Sequence, residues 1–125
     1  MQPKKILIVD DEDHIREIAS VSLELTRGWE VSMAGSGADA LRIAPQLRPD
    51  AILLDVMMPG MDGPTTFRRL QDDPSTRDIP VIFLTAKVQA ADRRRFTELG
   101  VRSMIAKPFD PLRLAIDVAA ALEWV

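Results

Sequence analysis

The chain has 125 residues, 46% of them apolar and 28% charged, which is enough for one domain with a real core and too few for two ordinary ones. Its net charge of −3 argues against a generally basic nucleic-acid surface. The absence of cysteine and the single histidine, His14, exclude disulfides, thiolate zinc sites, a cysteine nucleophile and multi-histidine metal sites, leaving the chemistry to carboxylates, hydroxyls and lysines.

In chain order, Met1-Gln2-Pro3-Lys4-Lys5 leads into only four straight apolar residues, Ile6-Leu7-Ile8-Val9. That is too short for a signal-peptide core, and no later stretch reaches membrane-spanning length, so a cytoplasmic protein is expected. Ile15, Ile18, Ala19, Ser22 and Leu25 then step by three or four as a helix face, and Arg27-Gly28 is a stop. A weaker strand surrounds Trp29, Val31 and Met33. Ser36 with Asp39 reads as a capping box, followed by Leu41, Ala44 and Leu47, with Pro45 expected to kink or shorten that helix.

Ala51-Ile52-Leu53-Leu54 is the third apolar run, and Asp62 can cap a third helix carrying Phe67 and Leu70. Val81-Ile82-Phe83-Leu84 is the fourth run; Val88, Phe96 and Leu99 mark a fourth helix closed by Gly100. A fifth run extends from Val101 through Met104-Ile105-Ala106. Pro111 is placed in the first turn of a fifth helix, with Leu112, Ala115, Ile116, Ala119 and Leu122 as its core stripe. Three runs are continuously apolar and rich in β-branched residues, as strands covered on both faces are. Five β-α units with right-handed crossovers give an α/β, doubly wound parallel sheet with helices on both faces, and its ligand site lies outside the carboxyl ends of the strands.

Four runs stop at a residue able to do chemistry. The first ends at Asp10-Asp11, followed by Glu12 and Asp13; the third ends at Asp55, the fourth at Thr85 and the fifth at Lys107-Pro108. In a parallel sheet these positions share one edge. Three close carboxylates need a cation, and hard oxygen donors suit Mg²⁺. Asp55 beside such an ion, the Lys107 ammonium and the Thr85 hydroxyl is suited to accepting a phosphoryl group. Asp13 and Asp62 read as caps or turn residues, and His14 as a solvent-facing side chain.

Ile6 to Glu12, Asp55-Val56-Met57-Met58-Pro59-Gly60-Met61-Asp62-Gly63, Leu84-Thr85-Ala86 and Lys107-Pro108-Phe109 together resemble the receiver domain of two-component response regulators. The resemblance covers essentially residues 1–125. It implies strand order 2-1-3-4-5, as in flavodoxin-like folds, with Asp55 as the phosphoacceptor. It implies Mg²⁺ held by Asp11, by Asp10 directly or through water, by Asp55, and by the backbone carbonyl of Met57. Lys107 would pair with the acceptor and then the phosphoryl group, and Thr85 would move onto a phosphoryl oxygen as the switch. A cis Lys107–Pro108 peptide is implied too, as is phosphate supply by a histidine kinase or histidine phosphotransfer protein. The chain departs from the family at Met104, where a tyrosine or phenylalanine is frequent. Met57 and Lys87 flank the phosphoryl position in the family, and an apolar residue and a cation there suggest slow autodephosphorylation.

No residues remain for an output domain, so the readout is expected at a surface. A second stripe on the last helix, Leu114, Val118, Ala121 and Val125, suggests a downstream effector or homodimer contact formed with the last two strand-helix units. Arg93-Arg94-Arg95 could border it without being a nucleic-acid site. Three rivals stand beside this reading. A small phosphohydrolase using an aspartyl phosphate is matched only loosely by Asp11-Glu12-Asp13. A flavin carrier would need a Ser/Thr/Gly-rich loop where four acids stand. A receiver acting only as a scaffold would need no intact site.

Overall fold

The structure is a computed structural model describing residues 2–86 and 89–124. Five parallel strands, β1 (Lys5–Val9), β2 (Glu30–Ala34), β3 (Ala51–Asp55), β4 (Val81–Thr85) and β5 (Ser103–Ala106), form one sheet in the order β2-β1-β3-β4-β5. The connecting helices are α1 (Asp13–Arg27), α2 (Gly37–Leu47), α3 (Gly63–Asp72), α4 (Ala90–Leu99) and α5 (Leu114–Ala121). The strand order reverses at β1, which pairs with β2 on one side and β3 on the other, so a crevice opens between the carboxyl ends of β1 and β3.

The continuous apolar runs follow from this layering. Leu7, Val9, Ile52, Leu54, Val81 and Phe83 pack with Phe67, Leu70 and Phe96 on one face. The alternate residues Ile6, Ile8, Leu53, Ile82 and Leu84 pack with Leu23, Leu114 and Val118 on the other. Each strand therefore needs apolar side chains in both directions. Phe83 meets Phe67 and Phe96 edge to face, with ring centroids 6.1 and 4.9 Å apart.

Helix ends follow local chemistry. Ser36 accepts a hydrogen bond from the Asp39 amide and Asp62 from the Thr65 amide, so both cap as expected. Gly28 (φ 67°) and Gly100 (φ 114°) end α1 and α4 in the left-handed conformation that L side chains disfavour. α2 accommodates Pro45 and ends two residues later. Asp13 is the first residue of α1 and pairs with Arg16 instead of capping.

Three expectations need correction. α5 starts at Leu114, and Pro111 lies in the preceding turn, where the Asp110 carboxylate accepts the Leu112 amide. Leu112 and Ile116 are exposed, whereas Leu114 and Val118, assigned to a partner stripe, are buried with Ala115, Ala119 and Leu122. The late helix start removes Leu112 from the helical repeat, and the crossing of α5 over the sheet turns the 114/118 edge inward. On α1, Ile18 and Leu25 likewise face solvent with Val21, while Ala19, Ser22 and Leu23 form the inner face. Val88, Val125 and Lys87, named above, lie outside the described residues. Among the described residues no helix is long and apolar enough to cross a membrane.

Candidate functional site

The carboxyl ends of β1, β3, β4 and β5 bring together the predicted residues. Asp10 follows β1, Asp55 ends β3, Thr85 ends β4 and Lys107 follows β5. Sheet pairing sets their spacing: Asp55 stands opposite Leu84, the Val56 amide donates to the Leu84 carbonyl at 3.1 Å, and the Lys107 amide donates to the Thr85 carbonyl at 3.0 Å. Thr85 is buried, and so are Asp10 and Asp55, an uncommon state for carboxylates that requires compensation.

Lys107 supplies part of that compensation. Its Nζ donates to Asp10 Oδ2 at 2.8 Å and lies 3.3 Å from Asp55 Oδ1 and 3.8 Å from Glu12 Oε1. Burial alone would lower the lysine pKa; the hydrogen bond and charge of Asp10, with those of Asp55, outweigh burial and raise it above 10.5. For Asp55 the balance runs the other way. Burial, then the nearby Asp10 charge, push its pKa up from 3.8 to about 6, against the opposing pull of Lys107 and the Met57 amide. The Asp55 position is therefore short of positive charge.

The donor set indicates which cation would fit. Oxygens of Asp10, Asp11 and Asp55 lie within 4.8 Å of one another, two of the residues buried and Asp11 exposed. Three carboxylates, no sulfur and no imidazole match a small hard cation with room left for water or phosphate oxygens. The approach to Asp55 is fixed by Gly63, the first residue of α3, whose amide donates to the Val56 carbonyl at 2.9 Å. A Cβ there would stand 2.5 Å from the Asp55 carbonyl oxygen, so only glycine lets α3 start against the end of β3. The Lys107–Pro108 peptide is cis, as the resemblance implied.

Residues 6–119 match the family profile of the response regulator receiver domain. The chain belongs to this family. It is similar to the phosphate regulon transcriptional regulatory protein PhoB of Pseudomonas aeruginosa, 43% identical over 122 residues that cover 98% of this chain and 53% of PhoB. Among solved structures it is similar to the chemotaxis protein CheY4 of Vibrio cholerae, with TM-score 0.89 at 29% identity over 96% of this chain and 99% of that one. It is also similar to the receiver domain of a Pseudomonas aeruginosa sensor histidine kinase, with TM-score 0.84 at 29% identity over 98% and 99% of the two chains. That structure has magnesium coordinated in its active-site cleft. The chain spans about half the length, or less, of the curated relatives it matches.

Receiver domains are signalling domains of two-component systems that pair with histidine kinases and bind Mg²⁺ in their acidic site, and the acidic cluster here is consistent with that. The family assignment disfavours the phosphohydrolase alternative. Met104, at the position of the frequent aromatic, is nearly buried beside β4 and packs into the core that contains Phe83 and Phe96. His14 is exposed and lies 3.5 Å from Glu12. Sequence reading missed Arg16, whose guanidinium donates to the Asp10 carbonyl and pairs with Asp13. The available signal was a cation three residues beyond Asp13 in an otherwise acidic segment.

Proposed function

We propose that Asp55 of this receiver accepts a phosphoryl group from a phosphohistidine protein, in a reaction assisted by Mg²⁺ held by Asp10, Asp11, Asp55 and the Met57 carbonyl. The observation that carries the reading is the convergence of three carboxylates within 4.8 Å, with the Lys107 ammonium reaching both Asp10 and Asp55. A bound Mg²⁺ would neutralise the acids and offset the negative charge of the phosphoryl oxygens. The Asp55 carboxylate forms the new O–P bond as the P–N bond to the donor imidazole breaks, and the electron pair leaves with that nitrogen. Lys107 holds its positive charge beside the transferring oxygens. Thr85, buried at the end of β4, would then donate to a phosphoryl oxygen.

The output would be read on the surface formed by α4, β5 and α5, by an effector protein or a second copy of the chain. A groove there is lined by Arg93, Ser103, Met104, Asp117 and Ala120, next to the strand bearing Thr85. The exposed apolar Met57 side chain, which offers no polar group to orient an attacking water, supports a phospho-form that outlasts seconds at neutral pH.

The test is intact mass after incubation with Mg²⁺ and acetyl phosphate, whose P–O bond breaks to release acetate. One phosphoryl adduct is expected, absent in Asp55→Asn and absent without Mg²⁺. Multiple turnover of phosphate esters would point to a hydrolase, and no adduct to a scaffold.

A further inference from the structure

Arg16 lies near the start of α1 with its side chain only 19% exposed. A guanidinium leaves water only where its donors are met. Nη1 donates to the Asp10 carbonyl oxygen at 2.6 Å, and Nη2 bonds the Asp13 carboxylate. The guanidinium also sits against the bare Cα of Gly35 after β2, where a Cβ would be 3.5 Å from Nη1.

These contacts complete the fixation of Asp10. Its amide donates to the Ala34 carbonyl at 3.1 Å, its Oδ1 accepts the Glu12 amide at 2.9 Å, and its Oδ2 accepts Lys107. The carbonyl is the group that passes this orientation forward, because it shares a rigid plane with the Asp11 amide. Asp11 is exposed, so packing does not set its direction; its backbone does. We infer that Arg16 is a positioning residue that locks the Asp10–Asp11 peptide and so aims the Asp11 carboxylate at the cation position shared with Asp10 and Asp55. The inference rests on the Mg²⁺-assisted reading above.

Simple electrostatics forecasts the opposite: removing a cation from beside three carboxylates should tighten binding of a divalent cation. The sign of the change therefore decides. Partners that orient metal ligands typically contribute about 10–100-fold in metal affinity, so Arg16→Met is expected to weaken Mg²⁺ binding about tenfold or more. Arg16→Lys keeps the charge but not the two-pronged donor, and should fall between.

Isothermal titration with Mg²⁺ on wild type, Arg16→Met, Arg16→Lys, Asp11→Asn and the Arg16→Met/Asp11→Asn double variant measures this, with metal-free melting points alongside. The expected result is weaker binding in Arg16→Met that nearly vanishes as an effect once Asp11 is Asn. Unchanged or tighter binding in Arg16→Met, or an equal loss in both backgrounds, would overturn the inference. Should Arg16→Met fail to fold, Arg16→Lys decides: weaker binding supports the inference and wild-type affinity overturns it. A wild-type protein that binds Mg²⁺ but takes no phosphoryl group would defeat the phosphoacceptor reading and leave this inference standing. One that binds no Mg²⁺ defeats the role of Arg16.

Discussion

The two ends of the sheet are built on opposite principles. At the carboxyl ends of the strands, three carboxylates crowd around one ammonium, and Asp55 is held with a pKa of about 6. At the amino ends, the contacts are simple one-to-one pairs. Asp50 accepts the Lys5 amide at 2.7 Å, Trp29 meets Trp124 edge to face at 5.3 Å, and Lys4 sits 4.7 Å over the Trp124 ring. The second end contributes stability; the first gives some of it up by crowding like charges around a single ammonium. The same strands serve both ends, so the contrast arises from the residues that follow or precede each apolar run.

The contrast can be broken most sharply at Asp55. Asp55→Asn should abolish the phosphoryl adduct in intact mass while melting higher than wild type without metal at pH 7, because it removes a buried like charge. Lys107→Met should slow phosphorylation by acetyl phosphate by about 10²–10³-fold, the scale of losing one preorganised charge partner at a reacting centre, measured as adduct formation over time. At the other end, Trp29→Ala should cost about 3–5 kcal/mol in denaturant unfolding yet leave Mg²⁺ affinity in calorimetry unchanged.

The pH dependence sharpens the same contrast. The folded pKa of Asp55 lies above its unfolded value, so the folded state binds the extra proton between about pH 4 and 6. Metal-free stability should therefore fall as pH rises through that window, by on the order of 2 kcal/mol, and Asp55→Asn should remove this component. Saturating Mg²⁺ should reverse the loss in wild type by binding the ionised form. The smallest effect is at Asp50→Ala, which loses one charge-assisted bond to the Lys5 amide and should cost about 1 kcal/mol in urea unfolding.

Asp10, Asp11, Asp55, Thr85 and Lys107 were legible in the sequence because they stand at the ends of apolar runs, and a parallel sheet aligns the ends of such runs. The helix faces were less legible. α1 and α5 carry apolar residues beyond a single stripe, and only the crossing of helix over sheet decides which positions are buried. Leu114 and Val118 turned inward while Leu25 and Ile116 stayed out. Arg16 was only half legible: its spacing from Asp13 hinted at an ion pair, but no pattern of residue types records that its guanidinium also meets the Asp10 carbonyl.

The tryptophan pair has an optical consequence. With no tyrosine in the chain, the near-ultraviolet emission is dominated by Trp29 and Trp124. Both belong to the end of the sheet opposite the acidic pocket, where Arg27 also lies 5.8 Å over the Trp29 ring. Intrinsic fluorescence is thus a gauge of that closed end. Ion arrival at the other pole would be nearly dark to it, and a tryptophan placed at exposed position 57 would give the pocket a signal of its own.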